Sequence, residues 1–314
     1  MSCSLLTGPY KALIAPVVRG LIAAGRNFRP SVVVKMDGGL GSQMWQYAIG
    51  RGAGRASGLR ALYDLSWFDG DTRDINGIYS RAYQLEPVFP CIKPAKADQA
   101  LLLTYRLHFD LYPGTRLDYD ETIFSSRSPR YLGGYYVNAK YVDGQGDGLR
   151  DEFKFNVPLT TENGLALSRI KTERHSTAIH IRRGDYVGSA HDVTTPDYFR
   201  GAVKWIADRL PPGEVVFFVF SNGIDWSREI LRDLDYEFIY IDDNDNDNGH
   251  IDMYLMSQCS HFIISNSSFS WWPAWLSRRS ADKIVVMPDK WKANELRENR
   301  LSMRAEGWDV VPVR

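Results

Sequence analysis

Apolar and polar positions follow two periods along this chain, and the switch from one to the other marks its elements. Residues 32–36 (VVVKM) form a short β-branched run that stops at Asp37-Gly38-Gly39, the pattern of a buried strand entering a glycine turn. Beyond the turn, Met44, Trp45, Ala48, Ile49, Ala53 and Ala56 recur at helical spacing. The first unit therefore reads strand, Gly-rich turn, helix. From Leu59 to about Asp151 the chain is aromatic-rich and keeps neither period, and no element is assigned there. In the second half the pattern predicts strands over 177–181, 215–220, 237–241, 262–265 and 283–287. Helical spacing lies between them, over 196–210, 226–234, 251–259 and 269–278. Thr195 is a candidate N-cap, with Pro196 at the first helical position. Strands alternating with helices predict a parallel, doubly wound α/β sheet, whose ligands sit beyond the C-terminal strand ends.

Composition narrows the function classes. The 314 residues are enough for two domains, and a hydrophobic content of 44% is that of a folded chain with a sizeable core. Lys plus Arg equals Asp plus Glu at 38 each, so no global basic field points to nucleic acid, and any anion site must be built locally. The cysteines, Cys3, Cys91 and Cys259, show neither metal-ligand spacing nor a disulfide framework and read as reduced thiols. The run 12–24 (ALIAPVVRGLIAA) is broken by Pro16 and Arg19 and falls short of a membrane span. With Lys11, Arg26 and Arg29 around it, it reads as a loosely ordered N-terminal extension, with a signal peptide or a peripheral position on an anionic membrane surface as alternatives. The acidic tract 242–248 (DDNDNDN) lacks the Gly and acidic positions of a calcium-binding EF-hand loop in either register and reads as a solvated loop.

Three motifs carry candidate chemistry. Residues 180–186 (HIRRGDY) close a predicted strand, with His180 and Arg182 on one side and Arg183 on the other. Arginine's planar fork suits bidentate contact with phosphate. On spacing alone, phosphate binding and an internal Arg–Asp pair with Asp185 stay equally open. The embedded Arg-Gly-Asp is too short to argue for adhesion. Residues 265–270 (SNSSFS) open a tryptophan-rich helix, where hydroxyls and free N–H groups form a ready anion site while Ser267 or Ser268 caps the helix. Pro273 places its start close to Ser268. Trp271, Trp272 and Trp275 read as core rather than sugar platform. Residues 38–43 (GGLGSQ) lack both the P-loop ending and the dinucleotide-fingerprint spacing, and say only that backbone approaches something closely.

Taken in order, 38–48 (GGLGSQMWQYA), 180–186 (HIRRGDY) and 252–276 (DMYLMSQCSHFIISNSSFSWWPAWL) resemble the α-1,2-fucosyltransferases of glycosyltransferase family 11. Weaker echoes are 195–199 (TPDYF), 218–222 (FVFSN) and 283–291 (KIVVMPDKW), so the resemblance runs from about Val32 to Trp291. It implies a GT-B fold: two Rossmann-like domains facing a cleft, an acceptor-side domain over 31–155 and a GDP-sugar domain over 156–314, after an extension over 1–30. It implies inverting, metal-independent transfer from GDP-β-L-fucose to a terminal galactose, with no cofactor and no nucleic acid. By the same resemblance Arg182 holds the β-phosphate, His180 contacts the nucleotide and Asp252 accepts hydrogen bonds from guanine. Ser267 or Ser268 binds phosphate, and Gly39, Gly41 and Gln43 lie against the donor. Similarity to bacterial members implies a cytoplasmic location, with a peripheral position at the inner membrane as an alternative.

The chain departs from the family pattern at Ser42, where Asn is usual, and at Trp45 and Pro273, which stand for Phe and Gly. The general base has three candidates: Asp185, which is preferred, His191 and Asp37. Acceptor contacts are expected from Trp67, Phe68, Tyr79, Tyr135 and Tyr136 of the irregular N-terminal half. A GDP-sugar enzyme with another donor or a protein acceptor, and a non-catalytic carbohydrate binder, are the competing readings.

Overall fold

A computed structural model describes residues 30–73, 77, 79–108, 111–112, 115–245, 247–296 and 299–313. The expectations for the N-terminal extension lie outside the described residues. Among those described, no helix is long and apolar enough to cross a membrane.

The β-branched run forms β1 (Ser31–Lys35), and the periodic segment after the glycine turn forms the long helix α1 (Leu40–Ser57). Among the short strands that the irregular stretch proves to hold are β2 (Arg60–Asp64), β3 (Leu111–Tyr112) and β4 (Arg130–Leu132). These join β1 in a four-stranded parallel sheet of order β2-β1-β4-β3. Strands of two or three residues carry no readable alternation, and the five of β2 (RALYD) do not alternate apolar with polar, which is why the pattern did not reveal them.

The second half follows its periodicity closely. Helix α2 (Thr161–Thr172) precedes β5 (His175–Ile181), and α3 (Pro196–Ala207), β6 (Val215–Ser221), α4 (Ile224–Leu231) and β7 (Glu237–Ile241) follow. Then come α5 (Gly249–Ser257), β8 (His261–Ile263), α6 (Ser268–Leu276), β9 (Val285–Pro288) and β10 (Asp309–Val311). Thr195 caps α3 as expected, its hydroxyl accepting from Tyr198 N with Pro196 in the first turn. All six strands pair in parallel in the order β10-β9-β8-β5-β6-β7. Numbered from β5, this is the 3-2-1-4-5-6 order of a dinucleotide-binding sheet read from its other edge. The chain reverses direction across the sheet between β5 and β8, so a crevice opens at that switch point. Two parallel α/β layers opening onto one cleft are the GT-B arrangement.

One expectation is corrected here. Pro273 does not sit near the first turn of α6: it lies inside the helix, one turn further on. The helix still starts where expected, because its start is set by the Ser267 cap, whose hydroxyl accepts from Phe269 N at 3.3 Å.

Each sheet has a smaller apolar cluster of its own, around Val33, Leu62 and Tyr105 in the first half and around Ile179, Phe199 and Val219 in the second, but the largest core is shared. A single apolar cluster runs from Val32, Met44 and Trp45 of the first half to Trp271, Trp272 and Met287 of the second. Trp45 lies 4.6 Å from Trp271 and 4.8 Å from Trp272, centroid to centroid, and all three are fully buried. These tryptophans are core, as expected, and they join the halves at the floor of the cleft.

Candidate active site

A cavity of 770 Å³ lies between the C-terminal strand ends of both sheets. It is within the range of small-molecule and cofactor sites. The first half supplies the glycine turn after β1, Trp67 after β2, Tyr79 and Arg81, and Tyr135 after β4. The second half supplies Arg182 after β5, Asn222 after β6, Asn244 after β7, Ser267 and Ser268 after β8, and Trp291 and Lys292 after β9.

At the floor, the starts of α1 and α6 meet. A Cβ on Gly41 would come within 2.9 Å of the Ser268 carbonyl carbon, so only glycine allows this approach. Trp272 Nε1 donates to Gly41 O at 2.9 Å and ties the two helices there. Their first-turn N–H groups and positive dipole ends thus face the same space. Gly39 is the N-cap of α1 and borders the cavity beside Arg81. The Ser268 hydroxyl has no hydrogen-bond partner among the described residues.

Arg182 stands over this floor. Its Nε and Nη2 both reach Asp185 Oδ1, at 2.8 and 2.6 Å, so the internal Arg–Asp pair exists. Nη1 has no hydrogen-bond partner among the described residues, and Arg182 borders the cavity. The pair therefore orients the guanidinium without using it up. Asp185 Oδ2 meets Arg81 Nη2 at 3.5 Å, which links the two halves across the cleft. Arg183 points the other way, as alternation required: it pairs with Asp192 at 3.1 Å and covers the Trp226 ring at 4.4 Å. Gly184 holds φ +39°, and a Cβ there would strike Asn222 Nδ2 at 2.3 Å. With Asp185 buried as well, the Arg-Gly-Asp sequence is part of the packed site and presents no adhesive loop.

His180 is buried, and burial together with the Arg182 charge pushes its imidazole down to about 3. It is thus a neutral ring at physiological pH, 3.4 Å from Ser265 Oγ, and it borders the cavity. Ser265 Oγ also donates to His180 O and accepts from Arg182 N, locking β8 to the end of β5. His191 is likewise pushed down, to about 4, by burial and by Lys292. Its Nδ1 is buried and has no hydrogen-bond partner among the described residues. Asn266 Nδ2 donates to both His191 O and Trp291 O, fixing the loops on either side of the cavity mouth.

Asp252, on α5, borders the far end of the cavity. Burial raises its carboxyl to about 7, opposed by a 2.6 Å hydrogen bond from Asn244 Nδ2 and reinforced by the charge of Asp243. Asn244, Asp242 and Asp245 border the cavity too, so the acidic tract is not a plain solvated loop: Asn244 turns inward to meet Asp252.

Two expected residues lie elsewhere. Gln43 is fully buried and does not border the cavity. Its amide donates to Gly38 O and Ala82 O and accepts from Gln84 N, so its hydrogen-bonding capacity goes into holding the glycine turn. Asp37 also lies outside the lining, held by Lys35 at 2.8 Å and Gln46 at 2.8 Å. Among the aromatics, Trp67, Tyr79 and Tyr135 border the cavity, whereas Phe68 and Tyr136 pack into the core. Arg81, Asn222 and Asn244 were not foreseen. Asn222 ends a recognised echo, but Arg81 sits in a segment without period, where no local signal singles out one arginine.

The same order of motifs, carried on this geometry, matches a known family. Residues 109–311 fit the profile of Glycosyl transferase family 11. The chain belongs to that family. It is 33% identical over 185 residues to the O-antigen biosynthesis glycosyltransferase WbnK of Escherichia coli, covering 56% of this chain and 59% of the relative. It is 29% identical over 283 residues to an alpha-1,2-colitosyltransferase of Escherichia coli, covering 84% and 93%. It is 25% identical over 256 residues to the galactoside alpha-(1,2)-fucosyltransferase 1 of Plecturocebus brunneus, covering 77% and 64%. The alignments thus span under two thirds of the first and third relatives. The fucosyltransferase NodZ from Bradyrhizobium superposes at a TM-score of 0.44 and 12% identity over 80% of this chain and 94% of that one. At that level it adds nothing to the architecture described above.

Proposed function

We propose that this chain is a glycosyltransferase that moves L-fucose from GDP-β-L-fucose to the 2-hydroxyl of a terminal galactose, with inversion and without a metal, in surface glycan synthesis on the cytoplasmic side of the membrane. One observation carries the reading. Arg182 is held by Asp185 over two converging helix starts, at the switch point of a dinucleotide-type sheet. Charge grows on the departing diphosphate as the glycosidic bond breaks. A fixed guanidinium and helix N–H groups in that place stabilise it more than the ground state. The Asp252 end of the cavity then takes the base, with the carboxylate accepting from guanine N1–H and N2–H, and His180 lies between as an uncharged contact.

Both Asp185 and His191 face the reacting region, and Asp37 does not. Asp185 is engaged by two guanidiniums. His191 is a weak proton acceptor, since its conjugate acid is already lost near pH 4. In this reading the bond to GDP is largely broken before the acceptor hydroxyl gives up its proton, and Asp185 acts mainly through Arg182. A colitosyl donor is the second reading, favoured by the relative that the chain matches across 93% of its length.

Incubation with GDP-fucose and a β-galactoside should give GDP and an α-1,2-linked product by NMR. Release of GDP without a transferred sugar, or turnover only with a GDP-colitose donor, would overturn the fucose assignment. The nucleotide site has its own pH signature. With the free carboxyl of Asp252 at about 7, a ligand that needs it ionised must displace a proton as pH falls below that value. GDP affinity should be flat well above pH 7 and weaken toward about tenfold per pH unit below it. Calorimetric titration across pH 5.5–8.5 (about three units) reads this directly, and Asp252→Asn should abolish the slope.

A further inference from the structure

The carboxyl of Asp252 is held from behind by a chain of amides that reaches outside the cavity. Asn244 Nδ2 donates to Asp252 Oδ1 at 2.6 Å and to Asn163 Oδ1 at 2.9 Å. In return Asn163 Nδ2 donates to Asn244 Oδ1 at 2.9 Å, closing a reciprocal amide pair. Asn163 is fully buried in the first turn of α2, where its Nδ2 and its backbone N both donate to Thr160 Oγ1, the cap of that helix. Every donor and acceptor of the two amides is thus assigned one direction. The carboxylate can only accept, so Asn244 must present its NH2 to Asp252 and its oxygen to Asn163.

The consequence lies in what this leaves free. Asp252 Oδ1 is occupied, Oδ2 has no partner among the described residues, and the side chain borders the cavity. A carboxylate on a short side chain otherwise samples several orientations about its terminal torsion. We propose that the Asn163–Asn244 pair, anchored on Thr160, is a positioning device that fixes the Asp252 carboxylate as a purine acceptor and so sets the preference for guanine. The proposal rests on the guanosine diphosphate reading above. Neither asparagine is required to touch the ligand through this contact. Their effect passes through the direction of one hydrogen bond, and Asn163 does not border the cavity at all.

The charged and titratable groups around Asp252 bear on how the device is read out. Asp243 repels it from the same loop as Asn244, Asp242 and Asp245 border the cavity, and His250 sits two residues earlier on α5. Burial and Asp243 favour the neutral acid, while the amide favours the carboxylate. Removing the amide shifts that balance toward the acid. A merely structural asparagine would not move the protonation midpoint of a neighbouring carboxyl.

The test compares GDP with IDP, which keeps N1–H but lacks the 2-amino group, by calorimetry on the full chain across pH. The wild-type protein should bind GDP about tenfold or more tightly than IDP, the value of one charge-assisted hydrogen bond. Asn163→Leu and Asn244→Leu should each narrow that ratio to about threefold or less and move the midpoint of the GDP pH profile upward. Asn244 lies in a loop, so its variant carries the test if Asn163→Leu does not fold. Unchanged selectivity and midpoint in a folded variant would overturn the proposal, as would a wild type that does not distinguish the two nucleotides. A wild type that binds neither nucleotide removes the donor reading itself, a separate and recognisable failure.

Discussion

Arg182→Ala is expected to lower turnover by about 10²–10³-fold with much of the GDP affinity kept, the size seen when one preorganised donor to a developing negative charge is removed. The geometry explains why the loss falls on turnover. Arg182 is held by Asp185 before any ligand arrives, so the guanidinium is already placed where charge appears late in the reaction. Arg182→Lys should recover little, because a lysine cannot reproduce two donors to one carboxylate oxygen while leaving a third free edge. Asp185→Asn tests the orienting half of the pair. It should lower turnover less than Arg182→Ala, and the loss should not vary with pH between about 6 and 8 if Asp185 works through Arg182 rather than as a base. Steady-state kinetics that find Arg182→Ala within about threefold of the wild type would remove the diphosphate clamp from the mechanism.

The second large effect is on stability. Trp272→Ala should lower the unfolding free energy by about 3–5 kcal/mol, the usual cost of truncating a large buried aromatic. Trp272 is fully buried among Trp45, Phe153, Trp271 and Trp275 and donates its Nε1–H to Gly41 O. Because that contact seats α6 against α1, the variant should also weaken GDP binding, although Trp272 does not border the cavity. Urea unfolding should show one transition for both halves, since the core cluster runs through both sheets. Two separated transitions in the wild type, or a loss below about 1 kcal/mol in the variant, would contradict the shared core.

How much of this was legible differs between the halves for a physical reason. Residues 175–311 are built from strands and helices long enough to show their own period, so β5, β6, β7, α3 and α6 stand within about a turn of where the pattern puts them. In residues 59–151 the strands are two to five residues long and the chain between them is held by long-range bonds such as Tyr131 to Asp64 and Asn138 to Leu117. No window of local sequence contains those partners. The candidate site divides in the same way. His180, Arg182, Asp252, Ser267 and Ser268 follow strand ends or open helices and were readable in place, whereas Arg81 and the Asn163–Asn244 pair come from segments whose meaning depends on what they meet.

The sequence alone was enough for the α/β class, the parallel second sheet, the buried tryptophans and the family motifs. These depend on period, side-chain type and order along the chain, all of which are local. Only the tertiary structure decided that Gln43 and Asp37 serve the glycine turn instead of the cavity, and that Asp185 faces two arginines. It also turned Asn244 inward on Asp252. Some of these partners are near in sequence, as Asn244 and Asp252 are, and others far, as Arg81 and Asp185 are, but in each case a polar side chain does not announce its partner until packing has removed the water that would otherwise compete for it.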